Sequence, residues 1–266
     1  MDYEEDHQAN DGPKYRQAET IGQLELREAL LSLTLFGSDT NLRQQAFNLG
    51  LVDSFIMQLE TQLLRKYLDE ESYVSEAAFV NAFSQMWIFA AYELIRTWRQ
   101  RAKELITLAE NGGLKVKLEH LRKNTAYVHA GRELHARQIE QVLADPSLVD
   151  RLRVDLRRIH MPYARMEALR ISIAKHEVRK SPHPAHMPVY GRINMSCGSL
   201  DYEISNAAVS LDIMNRRDIA DHIRFIPQLT EPTDEDIASF DMALRGPSAE
   251  ELEELEKAFD PPAQKT

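Results

Sequence analysis

Arginine and histidine residues occur together at short spacings in this sequence. Arg122 precedes His129 by seven residues, with Asn124 between them, and Arg217 precedes His222 by five. Seven residues at about 100° each return to the same helical face. Because the arginine fork binds phosphate oxygens well, the chemistry that such a pair suggests is recognition of a phosphate group.

The stretch Leu-Arg-Lys-Asn-Thr-Ala-Tyr-Val-His at 121–129 resembles the HEPN superfamily, in which a histidine follows an arginine after four to six residues late in a helical bundle. The resemblance covers at most residues 40–180 and implies a metal-independent endoribonuclease. By this resemblance Arg122 would bind the scissile phosphate, and His129 would help proton transfer or polarise the 2′-hydroxyl. Asn124 completes this first candidate set.

A second candidate set, Arg217 with His222, matches the family spacing more tightly. The family prefers a polar Asn, Asp or His directly after the arginine, and Asp218 follows Arg217, whereas Lys123 follows the arginine of the first set. An arginine-rich helical chain also places histidines near arginines without any function. The alternative interpretation is therefore that these histidines are solvated or packed in the core of ordinary helices.

The charge of the chain is unevenly distributed. The net charge is −10, yet the stretch 114–180 carries fifteen Lys and Arg against eight Asp and Glu, between acidic ends at 1–20 and 231–266. The arginines proposed as nucleic-acid contacts are Arg151, Arg157, Arg158 and Arg165. Contacts of this kind would weaken steeply with salt. The alternative is that these arginines form ion pairs with helical neighbours such as Asp155 and Glu167.

Several histidines near residues 176–186 suggest a metal site as another alternative. His183 and His186 lie three residues apart, and His160 and His176-Glu177 precede them. Imidazole and carboxylate groups are suitable ligands for zinc or iron. Because His183 and His186 lie in a proline-rich loop, where spacing says little about geometry, we predict incidental histidines, with no metal and no cofactor.

Cys197 is the only cysteine, so the chain can form no intrachain disulfide and no multi-cysteine zinc site. Its thiol would be a nucleophile only if a histidine lowered its pKa. The first twelve residues are acidic and polar, unlike a secretory signal or a transit peptide. These features favour a soluble, cytoplasmic protein. Glycine-rich phosphate loops, G-x-S-x-G and H-E-x-x-H are missing, so the common nucleotide, hydrolase and metalloprotease signatures are absent.

The elements that must position these residues are predicted to be mainly α-helical. We expect a helical bundle around one long central helix, with a small β-hairpin and short C-terminal helices. The predicted organisation is a disordered acidic lead at 1–18, the bundle at 19–180, a loop, hairpin and short helices packed on it at 181–246, and an acidic helix and tail at 247–266.

The long central helix is predicted at about 73–111, ending at Asn111-Gly112-Gly113. Its stretch 86–92 is apolar on every face, which indicates a helix that is buried on all sides or lies in a membrane. The window long enough to span a membrane, residues 77–95, contains the polar residues Asn81 and Glu93. We therefore predict a core helix that others surround. The helices around it are predicted at 21–36, 38–68, 114–143 and from Asp145-Pro146 to about Lys180, the last kinked at Pro162.

Farther along, local signals predict a hairpin and three capped helices. Val189–Ser196 and Leu200–Ile204 are expected to be the two strands, with Cys197-Gly198 at the turn. Capping boxes are expected at Asn215 with Asp218, Thr233 with Asp236 and Ser248 with Glu251.

From these features we predict a cytosolic helical protein that acts through contacts with a protein or with RNA. Formation of a homo-oligomer remains open, and no membrane association is expected. The alternative is the HEPN-like endoribonuclease described above.

Overall fold

The computed structural model describes residues 15–123, 130–174, 191–205, 210–248 and 250–253. The helices and strands in these ranges are α1 (Glu25–Leu31), α2 (Thr40–Leu68), α3 (Val74–Glu110), α4 (Leu114–Arg122), α5 (Ala130–Ala144), α6 (Ser147–Arg158), α7 (His160–Ala174), β1 (Arg192–Ile193), β2 (Leu200–Ser205), β3 (Ser210–Met214), α8 (Arg216–Phe225) and α9 (Asp234–Arg245). The predicted fold class is confirmed: the protein is mainly α, with a small antiparallel sheet.

Helix α3 is the long central helix, with 37 residues and a length of about 55 Å. It ends at Gly112, whose φ of 73° is the left-handed conformation that glycine adopts without strain. Two buried tryptophans of α3 form hydrogen bonds to the backbone of neighbouring segments. Trp87 donates its indole N–H to the carbonyl oxygen of Leu49 in α2 at 3.0 Å, and Trp98 donates to that of Thr34 after α1 at 2.9 Å.

The prediction that α3 is covered on every side is wrong. Helices α2, α6, α7 and α8 pack around the side that carries Trp87 and Trp98. About 80–120° around the helix from these tryptophans, Phe79 is 56% exposed and Met86 is 57% exposed. An apolar stretch in the sequence shows which residues are apolar, but not how many neighbouring helices are available to cover them.

The helices after α3 are shorter than predicted. In place of one helix at 114–143, α4 ends at Arg122 and α5 begins at Ala130, with 124–129 outside the described residues. The predicted helix to Lys180 is divided into α6 and α7 at Ile159. Pro162 therefore lies in the first turn of α7, where its missing amide hydrogen removes no helical hydrogen bond.

The sheet has the strand order β1-β2-β3, and both pairs are antiparallel. The predicted hairpin is confirmed, with Cys197-Gly198 in its turn and Gly198 at φ 75°. Its first strand is shorter than predicted, and residues 181–190 lie outside the described ranges. The third strand was not predicted. It is a short edge strand whose Ile213 is exposed, so its apolar pattern is weak.

All three predicted capping arrangements are present. Asn215 with Asp218 and Thr233 with Asp236 form capping boxes at the starts of α8 and α9. The Ser248 amide donates to the Glu251 carboxylate at 2.6 Å, and the Glu251 amide donates to the Ser248 hydroxyl at 3.1 Å. None of the helices in the described part of the chain has the length and apolar character needed to cross a membrane.

Burial of His135 in α5 predicts a pH dependence of stability. Burial, together with the nearby charge of Arg101, lowers the pKa of His135 to about 4, while Glu104 opposes this shift. As the pH falls from 6.5 to 4, His135 therefore becomes protonated in the unfolded chain before it does so in the folded chain. We expect the free energy of unfolding to decrease over this interval by about 1–3 kcal/mol through this group, with full stability above pH 6.5.

Urea denaturation between pH 4 and pH 7.5 measures this effect. The His135→Gln variant should lose this part of the pH dependence, whereas His120→Gln, at an exposed position in α4, should retain it. An unchanged pH dependence in His135→Gln would contradict the assignment.

Candidate interaction surface

The first candidate set contributes only its arginine to the described chain. Arg122 lies at the C-terminal end of α4, partly exposed, with Asn124 and His129 outside the described residues. Its guanidinium pairs with Glu133 at 2.5 Å and with Glu140 at 2.7 Å. The hydrogen bond to Glu140 is the main cause of its raised pKa. Arg122 therefore already has two carboxylate partners within the protein.

The second set is buried, and its two side chains face different neighbours. Arg217 donates to the carbonyl oxygen of Arg16 at 2.7 Å. Five residues correspond to about 500°, or 140° around the helix, so His222 faces another side of α8. Burial lowers the pKa of His222, and the charge of Arg165 lowers it further. Arg217 and His222 therefore do not line a common cleft in the described chain.

The predicted nucleic-acid contacts each have a carboxylate partner. The pairs are Arg151–Asp145 at 2.5 Å, Arg157–Glu231 at 2.8 Å, Arg157–Asp234 at 2.6 Å, Arg158–Asp155 at 3.1 Å and Arg165–Asp212 at 2.5 Å. Arg158 also donates to the carbonyl oxygens of Leu229 and Ile226. Arg157 and Arg158 thus join α6 to residues after α8, and Arg165 joins α7 to β3, whereas Arg151 pairs locally. Of these ion pairs only Arg158–Asp155 lies within one helix, the kind that the ion-pair alternative expected.

The metal and nucleophile alternatives gain no support from the described residues. No group of three His, Cys, Asp or Glu side chains in the described ranges could hold a metal ion. His160 pairs with Asp241 at 2.8 Å, and the histidines at 176–186 lie outside those ranges. Burial raises the pKa of the Cys197 thiol to about 12. The thiol is therefore protonated at neutral pH and a weak nucleophile.

A buried cluster of charges joins α2 to α8. Arg216 is fully buried and donates from Nε and Nη2 to the two carboxylate oxygens of Glu60, at 2.9 and 2.8 Å. Its Nη1 donates to Asp53, which also accepts from Arg224. Burial alone would lower the pKa of Arg216, but Glu60 and Asp53 raise it above the ordinary value. We call Asp53, Glu60, Arg216 and Arg224 the ion cluster.

Sequence reasoning missed the ion cluster, although a signal for it exists. The buried positions of α2 recur every seven residues, as Leu42, Leu49, Ile56 and Leu63 and, beside them, as Ala46, Asp53 and Glu60. Two acids at core positions of an otherwise apolar stripe indicate buried cations elsewhere in the chain, because an unpaired buried carboxylate is costly.

The small sheet rests against this cluster. A β-carbon at Gly198 would lie 2.1 Å from the carbonyl oxygen of Glu60, so the hairpin turn approaches the α2 backbone too closely for any other residue. Beside it, Asn215 donates to Asp201 of β2 at 2.9 Å, and Tyr15 donates to Asp218 at 2.8 Å. The cluster and these bonds hold α2, α8, the sheet and the residues before α1 together.

The outer sides of α2 and α3 form an uncovered apolar surface. We call Phe47, Leu51, Phe55, Phe79, Phe83 and Met86 the apolar face. Phe55 is 46% exposed, and its ring meets that of Phe83 edge to face at 5.5 Å. Phe79 stacks on Phe83 at 6.5 Å. The bond from Trp87 to Leu49 sets the antiparallel register that brings these side chains together.

The two ends of the apolar face carry opposite charges. At the start of α2, Arg27 and Arg43 line a shallow cavity of about 530 Å³ together with Leu24 and Phe47, and neither arginine has an ion pair with a described residue. At the other end, Glu70 and Glu71 follow α2 and are exposed. The 27 residues between Arg43 and Glu70 correspond to about 40 Å of helix.

Comparison with known proteins gives no family assignment. No family model, no curated protein and no solved structure matches the chain. The function must therefore be inferred from the surfaces described above.

The ion cluster predicts a large effect of one small substitution. Glu60→Gln removes the charge that faces both Nε and Nη2 of Arg216 and leaves a buried cation with one acidic partner. We expect the free energy of unfolding to fall by about 3–5 kcal/mol. Glu28→Gln, at an exposed position of α1, is the control and should change it by less than about 0.5 kcal/mol. Chemical denaturation measures both, and a near-neutral Glu60→Gln would show that the cluster does not stabilise the fold.

Proposed function

We propose that the protein acts through protein–protein contacts made by the apolar face, and that the partner is a second copy of the chain. The observation that supports the proposal is the exposure of five large apolar side chains on adjoining sides of two helices, packed around the half-buried Phe83. Monomeric proteins rarely leave a contiguous apolar surface of this kind in water, and such surfaces commonly mark interaction sites.

The charges at the ends of the face favour a second copy as the partner. In a two-fold symmetric dimer the same surface of both chains is used, and elements that cross the axis run antiparallel. An axis near Phe55 would place Arg43 of each chain close to Glu70 of the other, because Phe55 lies about midway between them. Each copy would thus supply the charge that the other lacks.

The distribution of the other arginines favours protein contacts over RNA. Each of the four predicted nucleic-acid contacts has a carboxylate partner. The chain also carries a net charge of −10, which repels a polyanion at long range. Of the two kinds of contact that the sequence suggests, contact with a protein therefore has the better support.

Phe55→Glu tests the proposal at the centre of the face. A charge at this position would be buried in the dimer, so we expect the variant to be monomeric at concentrations where the wild type is dimeric. Sedimentation velocity over a concentration series measures the association. Met242→Glu is the matched control, because Met242 is an exposed apolar residue of α9, and it should leave the dimer intact. A wild type that stays monomeric, or equal effects of both variants, would contradict the proposal.

A charge exchange tests the antiparallel arrangement. Arg43→Glu alone should weaken association by about tenfold or more, because it places two acids opposite one another at both ends. Adding Glu70→Arg to the same chain should restore association, since each new acid then faces a new base. Further weakening in the double variant would rule out this arrangement even if the apolar face is the interface.

A further inference from the structure

A groove between α3 and α7 lies on the side of α3 away from the apolar face. It has a volume of about 360 Å³, and residues of both helices line it, among them Arg96, Arg99 and Lys103 from α3 and Tyr163 and Glu167 from α7. Positions 96, 99 and 103 share one side of a helix. Three cations from one helix therefore face one carboxylate across the groove.

Arg99 is held in the groove by an aromatic ring. Its guanidinium carbon lies 3.6 Å from the centroid of the Tyr163 ring. Tyr163 stacks on Tyr92 at 5.3 Å with an interplanar angle of 24°, and Arg170 lies over the Tyr92 ring at 4.8 Å. The row of Arg99, Tyr163, Tyr92 and Arg170 joins α3 to α7. It fixes the position of the Arg99 guanidinium, because the two rings beneath it are buried.

The guanidinium of Arg99 forms no ion pair with any residue that the structure describes. It has no hydrogen bond and no carboxylate within 4.0 Å among the described residues, unlike Arg158 of α6, Arg165 of α7 and Arg216 of α8. Burial lowers the pKa of Arg99, and the nearby groups that oppose this shift, Tyr163, Glu167 and Tyr92, offset it only in part. Contact with the face of the Tyr163 ring satisfies none of the five N–H donors of the guanidinium.

Lys103 is the second cation without a partner. It lies on the exposed side of α3, next to Arg99 in the groove, and forms no ion pair within the described chain. The other charges nearby are occupied. Arg96 pairs with Glu93 at 2.5 Å, and Glu167 accepts a hydrogen bond from the Tyr92 hydroxyl at 2.6 Å. An anion in the groove would therefore meet Arg99 and Lys103 first.

We infer that this groove binds a small phosphate-bearing ligand, with its phosphate between Arg99 and Lys103. A guanidinium presents paired donors to phosphate oxygens, and an ammonium adds a mobile point charge. The volume is at the lower end of the range for ligand pockets. The groove suits a phosphate monoester better than a nucleic acid. A nucleic acid would need a longer row of cations than Arg99 and Lys103 provide. The groove and the apolar face are separate, so the inference does not depend on dimer formation.

Titration calorimetry of the full chain at low salt tests the inference with inorganic phosphate, pyrophosphate and adenosine monophosphate as probes. We expect at least one probe to bind with a dissociation constant below about 1 mM. Binding of the monophosphate alone identifies an organic phosphate as the ligand, whereas binding of the inorganic probes identifies the phosphate group itself as sufficient. Failure of all three probes would overturn the inference, as would tight binding of single-stranded RNA without binding of any of them.

Substitutions locate the site. Arg99→Met keeps the packing on Tyr163 and removes the charge, and Lys103→Met removes the second cation at an exposed position where folding is not at risk. Each should weaken binding by about tenfold, as expected for the loss of a charge-assisted contact. Arg65→Met, on the exposed side of α2, is the control and should bind as the wild type does. Binding that survives Lys103→Met unchanged, or that falls equally in Arg65→Met, would refute the assignment.

Discussion

The ion cluster is the interaction on which the rest of the structure depends. Taking carboxylates and guanidinium groups out of water costs several kcal/mol per ion, and their attraction offsets this cost only when the geometry is good. Asp53 and Glu60 lie two helical turns apart on α2, and Arg216 bridges them from α8. This arrangement therefore permits one position of α8 along α2. The position of the hairpin depends on the same part of α2, because Gly198 lies against the backbone of Glu60.

The cluster also explains how the surfaces of the protein are divided. The inner side of α2 is occupied by the ion cluster and the core, and α2, α6, α7 and α8 pack on α3 around Trp87 and Trp98. The apolar residues on the outer sides of α2 and α3 are thus left exposed.

The basic residues also fall into two groups, those that form ion pairs within the described chain and those that do not. The arginines of α6 and α8 stabilise the fold through ion pairs, whereas Arg99 and Lys103 in the groove form none with the described part of the chain.

Local signals in the sequence predict the helical class, the limits of α2 and α3, the hairpin turn and the capped helices. They succeed because a glycine stop or a capping box acts within a few residues, as at Gly112 and at Asn215 with Asp218. The break after Arg158 and the edge strand β3 have weaker local signals. The exposed side of α3 could not be predicted, because it depends on which distant helices pack beside it.

The candidate sites were harder to predict for the same reason. The partners in the ion cluster are separated by 156 residues for Glu60 and Arg216 and by 171 residues for Asp53 and Arg224. A count of arginines shows an excess of basic residues in the middle of the chain, but not which of them have acids nearby. Arg151 and Arg157 form ion pairs with acids, whereas Arg99 forms none among the residues that the structure describes, a difference that only the fold reveals.

A double-mutant cycle on Glu60→Gln and Arg216→Met tests the central role of the ion cluster most directly. Each single variant leaves a buried group without its partner, whereas the double variant removes both members of the pair. The account predicts that the double variant is more stable than the sum of the single losses implies, with a coupling free energy of about 2–3 kcal/mol from denaturation curves. Losses that add to within about 0.5 kcal/mol would contradict it, because they would show that the two residues stabilise the protein independently.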